Sequence, residues 1–75
     1  MEFRVEDFPE EQGGFQLRLQ IALLINAKNI MAVSERPERF QKYIEERRRK
    51  IREIVQSDGN FVVYYGGREI YRSCD

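Results

Sequence analysis

Six apolar residues, Phe15, Leu17, Leu19, Ile21, Leu23 and Ile25, recur at every second position, and Gln16, Arg18 and Gln20 stand between the first four. Successive side chains of a β-strand point to opposite faces, so this spacing predicts one long strand with a dry face and a wet one. No other feature constrains the chain as much, because the rest of the fold must cover the dry face. The contrast weakens at Ala22 and Leu24, which fall on what had been the polar face. Asn26-Ala27-Lys28-Asn29 then reads as a turn, and Ile30 to Val33 as a short returning strand. A helix over residues 20–33 competes with that reading, because Ile21, Leu24, Ile25 and Met31 also fit helical spacing and the alanines favour it. The strand is the working expectation.

The remainder divides at its turn signals. Glu2 to Asp7 alternates around Phe3 and Val5 and predicts a short strand. Phe8 to Gly14 is a connection, since Pro9 lacks an amide hydrogen and the Gly13-Gly14 pair admits positive φ. Its adjacent carboxylates, Glu10 and Glu11, are a poor ligand set for a hard cation. A helix is expected from Glu35 to Gln56, capped by Ser34, with Pro37 in the first turn. Phe40, Tyr43, Ile44, Ile51, Ile54 and Val55 form its apolar stripe, and the aliphatic stem of Arg47 continues that stripe while its head reaches water. Ser57 to Asn60 ends the helix, with Gly59 suited to a left-handed exit.

The last element is a hairpin, residues 61–65 and 68–72 around Gly66-Gly67. A regular two-residue turn pairs Tyr65 with Arg68, Val63 with Ile70 and Phe61 with Arg72 on one face. Tyr64 with Glu69 and Val62 with Tyr71 occupy the other.

These elements specify a single small α+β domain over residues 1–75. The expected architecture is an antiparallel sheet of four to five strands with one long amphipathic helix on one face, in the order β-β-(β)-α-β-β. The expected core is Phe15, Leu17, Leu19, Ile21, Leu23, Phe40, Ile44, Ile51, Ile54, Val55, Val63 and Ile70.

A chain of 75 residues buries only about 60% of the surface its unfolded form exposes, so domains of this size often need a supplement. Cys74 is the only cysteine and histidine is absent, which excludes an internal disulfide and disfavours a zinc site. Self-association is the supplement that remains. Ala22, Leu24, Met31 and Val33 form a second apolar cluster, and Tyr64 and Tyr71 lie in the tyrosine-rich hairpin. These six residues are the expected protein interface.

Charge is balanced overall, at 13 basic and 13 acidic residues, but not evenly spread. Residues 1–33 carry a net −2, residues 34–57 a net +3 and residues 58–75 a net −1. Arg47, Arg48, Arg52, Arg68 and Arg72, with nearby tyrosines, form an alternative nucleic-acid contact. Zero net charge argues against it. So do the helical Glu45–Arg49, Glu46–Lys50 and Arg49–Glu53 pairings, which describe a solvated, ion-paired face.

Catalysis has little to build on. There is no histidine or threonine, and Cys74 has no imidazole to activate it. The three serines are accounted for as a cap, a turn and a terminal residue. No pattern calls for a cofactor or a metal. No basic-then-apolar leader and no membrane-length apolar run is visible, and one cysteine suits a reducing interior, so the expected location is the cytoplasm. The expected function is a small protein-interaction module, self-associating and acting by binding another protein. The alternative is a nucleic-acid-binding protein.

Overall fold

Residues 14–33, the stretch expected to be strands, form one continuous helix in the computed structural model, which describes residues 1–9 and 13–74. The order is β1 (Glu2–Arg4), α1 (Gly14–Val33), α2 (Gln41–Val55), β2 (Val62–Tyr65) and β3 (Arg68–Arg72). Single 3-10 turns follow β1 at Val5–Asp7 and precede α2 at Pro37–Phe40. The class is α+β as expected, but there are two α-helices and three strands among the described residues, and the sheet is mixed. Glu10 and Glu11 lie outside the described residues.

The alternation misled for a physical reason. On a helix, steps of two residues advance by about 200°, so a period-two series visits every side of the cylinder. Leu17 and Ile21 fall inside, while Phe15, Leu19 and Ile25 fall outside. Leu24 and Ala27 complete the buried stripe at the 3–4 spacing begun by Leu17 and Ile21. Four leucines, three alanines and two glutamines in the segment favour helix. Asn26 to Asn29 holds no glycine or proline to force a turn, and the helix runs through it. Gln20, expected to face water, is buried, whereas Gln16 and Arg18 are exposed.

α1 begins at the glycine pair. Gly13 has φ of 117°, a left-handed value that glycine adopts freely. The Gly14 amide donates to the Pro9 carbonyl at 3.0 Å. At the far end Ser34 does not cap the second helix. Its hydroxyl accepts from the Arg36 amide at 3.1 Å and shapes the turn leading to Pro37.

α2 buries Ile44, Ile51 and Val55. Arg47 extends that stripe, but its head is largely withdrawn from water rather than reaching it: the side chain is 14% exposed, Nε is buried, and the guanidinium lies 4.8 Å from the Tyr43 ring centroid. The left-handed exit is taken by Gln56 rather than Gly59, at φ 58° and ψ 42°. The Gln56 amide donates to the Arg52 carbonyl at 2.8 Å. The Arg52 guanidinium then crosses the turn and donates to the carbonyls of Ser57 and Gly59, at 2.9 and 3.0 Å.

The sheet order is β1-β2-β3. β1 runs parallel to β2, pairing Phe3 with Val63, so both helices lie in the crossover between them. β2 and β3 pair antiparallel as expected next to the turn, Tyr65 with Arg68 and Tyr64 with Glu69. The register then slips by one, pairing Val63 with Tyr71 and Val62 with Arg72. This bulge replaces the expected Val63–Ile70 and Phe61–Arg72 pairs. It brings Tyr71 onto the buried face beside Val63 and leaves Ile70 half-buried.

Of the expected core, Leu17, Ile21, Ile44, Ile51, Val55 and Val63 are buried. Phe15 and Leu19 are exposed, and Leu23, Phe40, Ile54 and Ile70 are half-buried. Val5, Leu24, Ala27, Phe61 and Tyr71 take the vacated places. Phe61 stands between Phe3, edge-on at 6.0 Å, and Tyr71, tilted at 5.9 Å.

Candidate protein interface

α1 is apolar on two opposite sides. One side is the core stripe of Leu17, Ile21, Leu24 and Ala27. The other carries Phe15, Leu19, Ala22, Ile30 and Val33, all exposed, with Phe15 52% and Val33 85% accessible. A helix with apolar residues all round ordinarily lies inside a larger body, and here one side faces water. The helix carries two charges, Arg18 and Lys28, and no acid.

This outward side continues into a groove of about 340 Å³ against the start of α2. Leu23, Asn26 and Ile30 form one wall, and Arg39, Phe40 and Tyr43 the other. The Arg47 guanidinium over Tyr43 holds that ring in place. Near the N-terminus of α1, Phe15, Arg18, Leu19 and Ala22 line a shallower depression, with the Arg18 guanidinium 5.0 Å from the Tyr65 ring centroid.

The residues expected at the interface divide. Ala22 and Val33 lie on the outward side of α1. Met31 and Tyr64 are half-buried. Leu24, at 1% exposure, and Tyr71, at 8%, belong to the core and offer no side-chain surface to a partner. Phe15, Leu19 and Ile30 were missed as surface residues because the strand reading sent Phe15 and Leu19 inward. The helical spacing of Leu17, Ile21 and Leu24 was the signal that places them outward.

The residues of the alternative site divide as well. Arg48 and Arg52 share a recess of about 260 Å³ with Arg49, Phe61, Tyr71 and Ser73. Arg48 donates to the Tyr71 hydroxyl at 3.2 Å, Arg52 is engaged with two carbonyls, and Arg49 meets Glu53 at 3.5 Å. Arg47 is drawn against Tyr43, on the groove side. Arg68 is exposed beside the hairpin turn. Arg72 forms a two-pronged pair with Glu69, at 2.7 and 3.2 Å. That hydrogen bond holds the Glu69 carboxyl below its ordinary range and raises the Arg72 guanidinium above its own.

Among the described residues two buried side-chain polar atoms lack a hydrogen-bond partner, Arg47 Nε and the Gln20 amide oxygen. The Gln20 amide nitrogen reaches Gln16 at 3.4 Å, while its oxygen is buried without a partner, beside a cleft lined by Lys50, Glu53 and Ile54. Cys74 is exposed and free. Among the described residues no group of three or more His, Cys, Asp or Glu side chains is placed to hold a metal ion, and no helix is long and apolar enough to cross a membrane.

No protein-family model, curated protein or solved structure matches the chain.

Proposed function

We propose that this chain is a protein-interaction module that acts by contact, presenting the outward side of α1 and the adjoining Phe40–Tyr43 groove to another polypeptide. The observation that carries the reading is the second apolar side of α1, where Phe15, Leu19, Ile30 and Val33 lie exposed on a helix that bears no acid. Under this reading the protein works in the cytoplasm, where a lone exposed thiol such as Cys74 stays reduced. A photocrosslinking amino acid placed at Phe15 or Leu19 tests it, with Lys42 on the exposed polar side of α2 as the control position. Polypeptide adducts are expected at 15 and 19 in cells that make the protein. Yields no higher than at 42 overturn the reading.

A second reading, nucleic-acid binding, draws support from the shared recess of Arg48, Arg49 and Arg52 beside Phe61 and Tyr71. It ranks lower because Arg49 and Arg72 are paired with carboxylates, Arg52 is engaged with the turn carbonyls, and Arg47 lies against Tyr43. Anisotropy of a labelled single-stranded oligonucleotide at about 50 mM salt decides it: affinity that falls as salt rises supports it, and no binding ends it.

A further inference from the structure

The outward side of α1 has a spacing that the function above does not require. Phe15, Leu19, Ala22, Asn26, Asn29 and Val33 follow one another at intervals of four, three, four, three and four residues, and all six are exposed. That is the 3.5-residue repeat by which one helix lies along another at a shallow left-handed crossing. On a single helix in water the repeat has nothing to mesh with.

Resting on the interaction reading, we propose that the occupant of this face is the α1 helix of a second copy, packed antiparallel about a two-fold axis midway between Ala22 and Asn26. Three observations select this occupant and direction. The first is shape. An antiparallel pair centred there sets Phe15 of each copy against Val33 of the other, Leu19 against Asn29, and Ala22 against Asn26. Bulk meets bulk at both ends, and the small Ala22 sits in the middle, where the helices come closest. Leu23 and Ile25 flank the axis and meet their own copies, the self-complementary arrangement that a two-fold interface requires.

The second is charge. The charged side chain flanking the seam on α1 is Arg18, and no acid lies on the helix. Parallel pairing would set the two copies of Arg18 side by side. Antiparallel pairing separates them by 12 residues, about 18 Å at the helical rise.

The third is area. Phe15, Leu19, Ile25, Ile30 and Val33 are between 37% and 85% exposed. If such side chains offer on the order of 150–200 Å² each when fully exposed, they contribute about 400–500 Å² per copy. With Ala22, Asn26 and the half-buried Leu23 the pair reaches about 1,000 Å², the lower bound for a specific interface. The interface is accordingly a modest one.

The test begins with the wild-type chain, whose folding is not in question. Sedimentation equilibrium is expected to show a monomer–dimer equilibrium between about 5 and 200 μM. A strict monomer throughout overturns the proposal, and leaves the interaction reading standing if photocrosslinks from position 15 or 19 reach a different protein. Direction is read by disulfide trapping in a Cys74→Ser background, using two separately tagged chains, one with Phe15→Cys and one with Val33→Cys. Each variant is first shown to keep the wild-type circular dichroism spectrum. The expected product is the mixed 15–33 disulfide, with neither homodisulfide, because copies of one position lie about 27 Å apart in the antiparallel pair and a disulfide needs Cα atoms within about 7 Å. Homodisulfides at 15 and at 33 signify parallel packing and overturn the proposal. A dimer that traps at neither position uses another surface and overturns it equally.

Discussion

Gly14 lies against the carbonyl oxygen of Phe8, with no room between them for a β-carbon. The same residue donates its amide to the next carbonyl, that of Pro9. The N-terminus of α1 is therefore pinned to the end of the first 3-10 segment by a contact only glycine permits. In an ordinary helix, Gly→Ala gains roughly 0.5–1 kcal/mol. Here Gly14→Ala is expected to lose about 2 kcal/mol, because backbone rather than a flexible side chain must move. Gly59→Ala, which meets open space, is expected to stay within about 0.5 kcal/mol of wild type. Urea midpoints of the two variants check the contrast.

Gln56 occupies a left-handed conformation that costs a side-chain-bearing residue about 1 kcal/mol. Gln56→Gly is expected to raise stability by about 0.5 kcal/mol, after the added freedom of glycine in the unfolded chain is subtracted. A stability loss of similar size would mean that contacts of the Gln56 side chain outweigh the backbone strain.

Leu17 and Leu19 are equivalent in an alternating strand and opposite on α1. Leu17→Ala is expected to cost about 3 kcal/mol, since Leu17 is fully buried. Leu19→Ala should cost about 0.5 kcal/mol or less at low-micromolar protein. At higher concentration the penalty of Leu19→Ala should grow, because the side chain also stabilises the proposed dimer. Equal losses in dilute solution would contradict the helix.

The Glu69–Arg72 pair makes stability depend on pH in a definite direction. Its hydrogen bond to Arg72 lowers the Glu69 carboxyl, so the folded state holds the ionised form more firmly than the unfolded chain does. That contribution is present above the ordinary glutamate range and disappears as pH falls through the lowered value. The difference in thermal midpoint between wild type and Glu69→Gln should accordingly exist at neutral pH and close in acid. Added salt should shrink it as well, since both side chains are substantially exposed. A carbon-13 titration of the Glu69 carboxyl reads the shift directly.

Legibility in the sequence followed the locality of each signal. The second helix was plain in its body, where the stripe of Ile44, Ile51 and Val55 repeats within a few residues, but not at its start: Ser34 and Pro37 signal a helix from Glu35, whereas the chain makes a 3-10 turn at Pro37–Phe40 and α2 begins at Gln41. The hairpin was plain near Gly66-Gly67, where turn geometry dictates the pairing, and was lost beyond Tyr64, where a bulge answers to the packing of Tyr71 rather than to the turn. The first helix was misread because Leu, Ile and Phe stand on both of its sides, so its periodicity blurs toward two. Its true signal, Leu17–Ile21–Leu24–Ala27, was present but masked by the outward series. The parallel partnership of β1 with β2 had no local signature at all. The outward face of α1 was half legible: Ala22 and Val33 were identified, but Leu24 and Tyr71 were assigned to a surface they do not reach.

The partnership of β1 with β2 also sets an order of events. Phe3 pairs with Val63, some 60 positions further along the chain, while α1 and α2 are separated by a short connection. Contacts close in sequence form early, and a strand that must wait for so distant a neighbour docks late. Pulse-labelled hydrogen exchange during refolding should find the amides of both helices protected before those of β1. Until that last strand arrives, β2 presents an unpaired edge, which makes this stage the moment at which the chain is most open to misassembly.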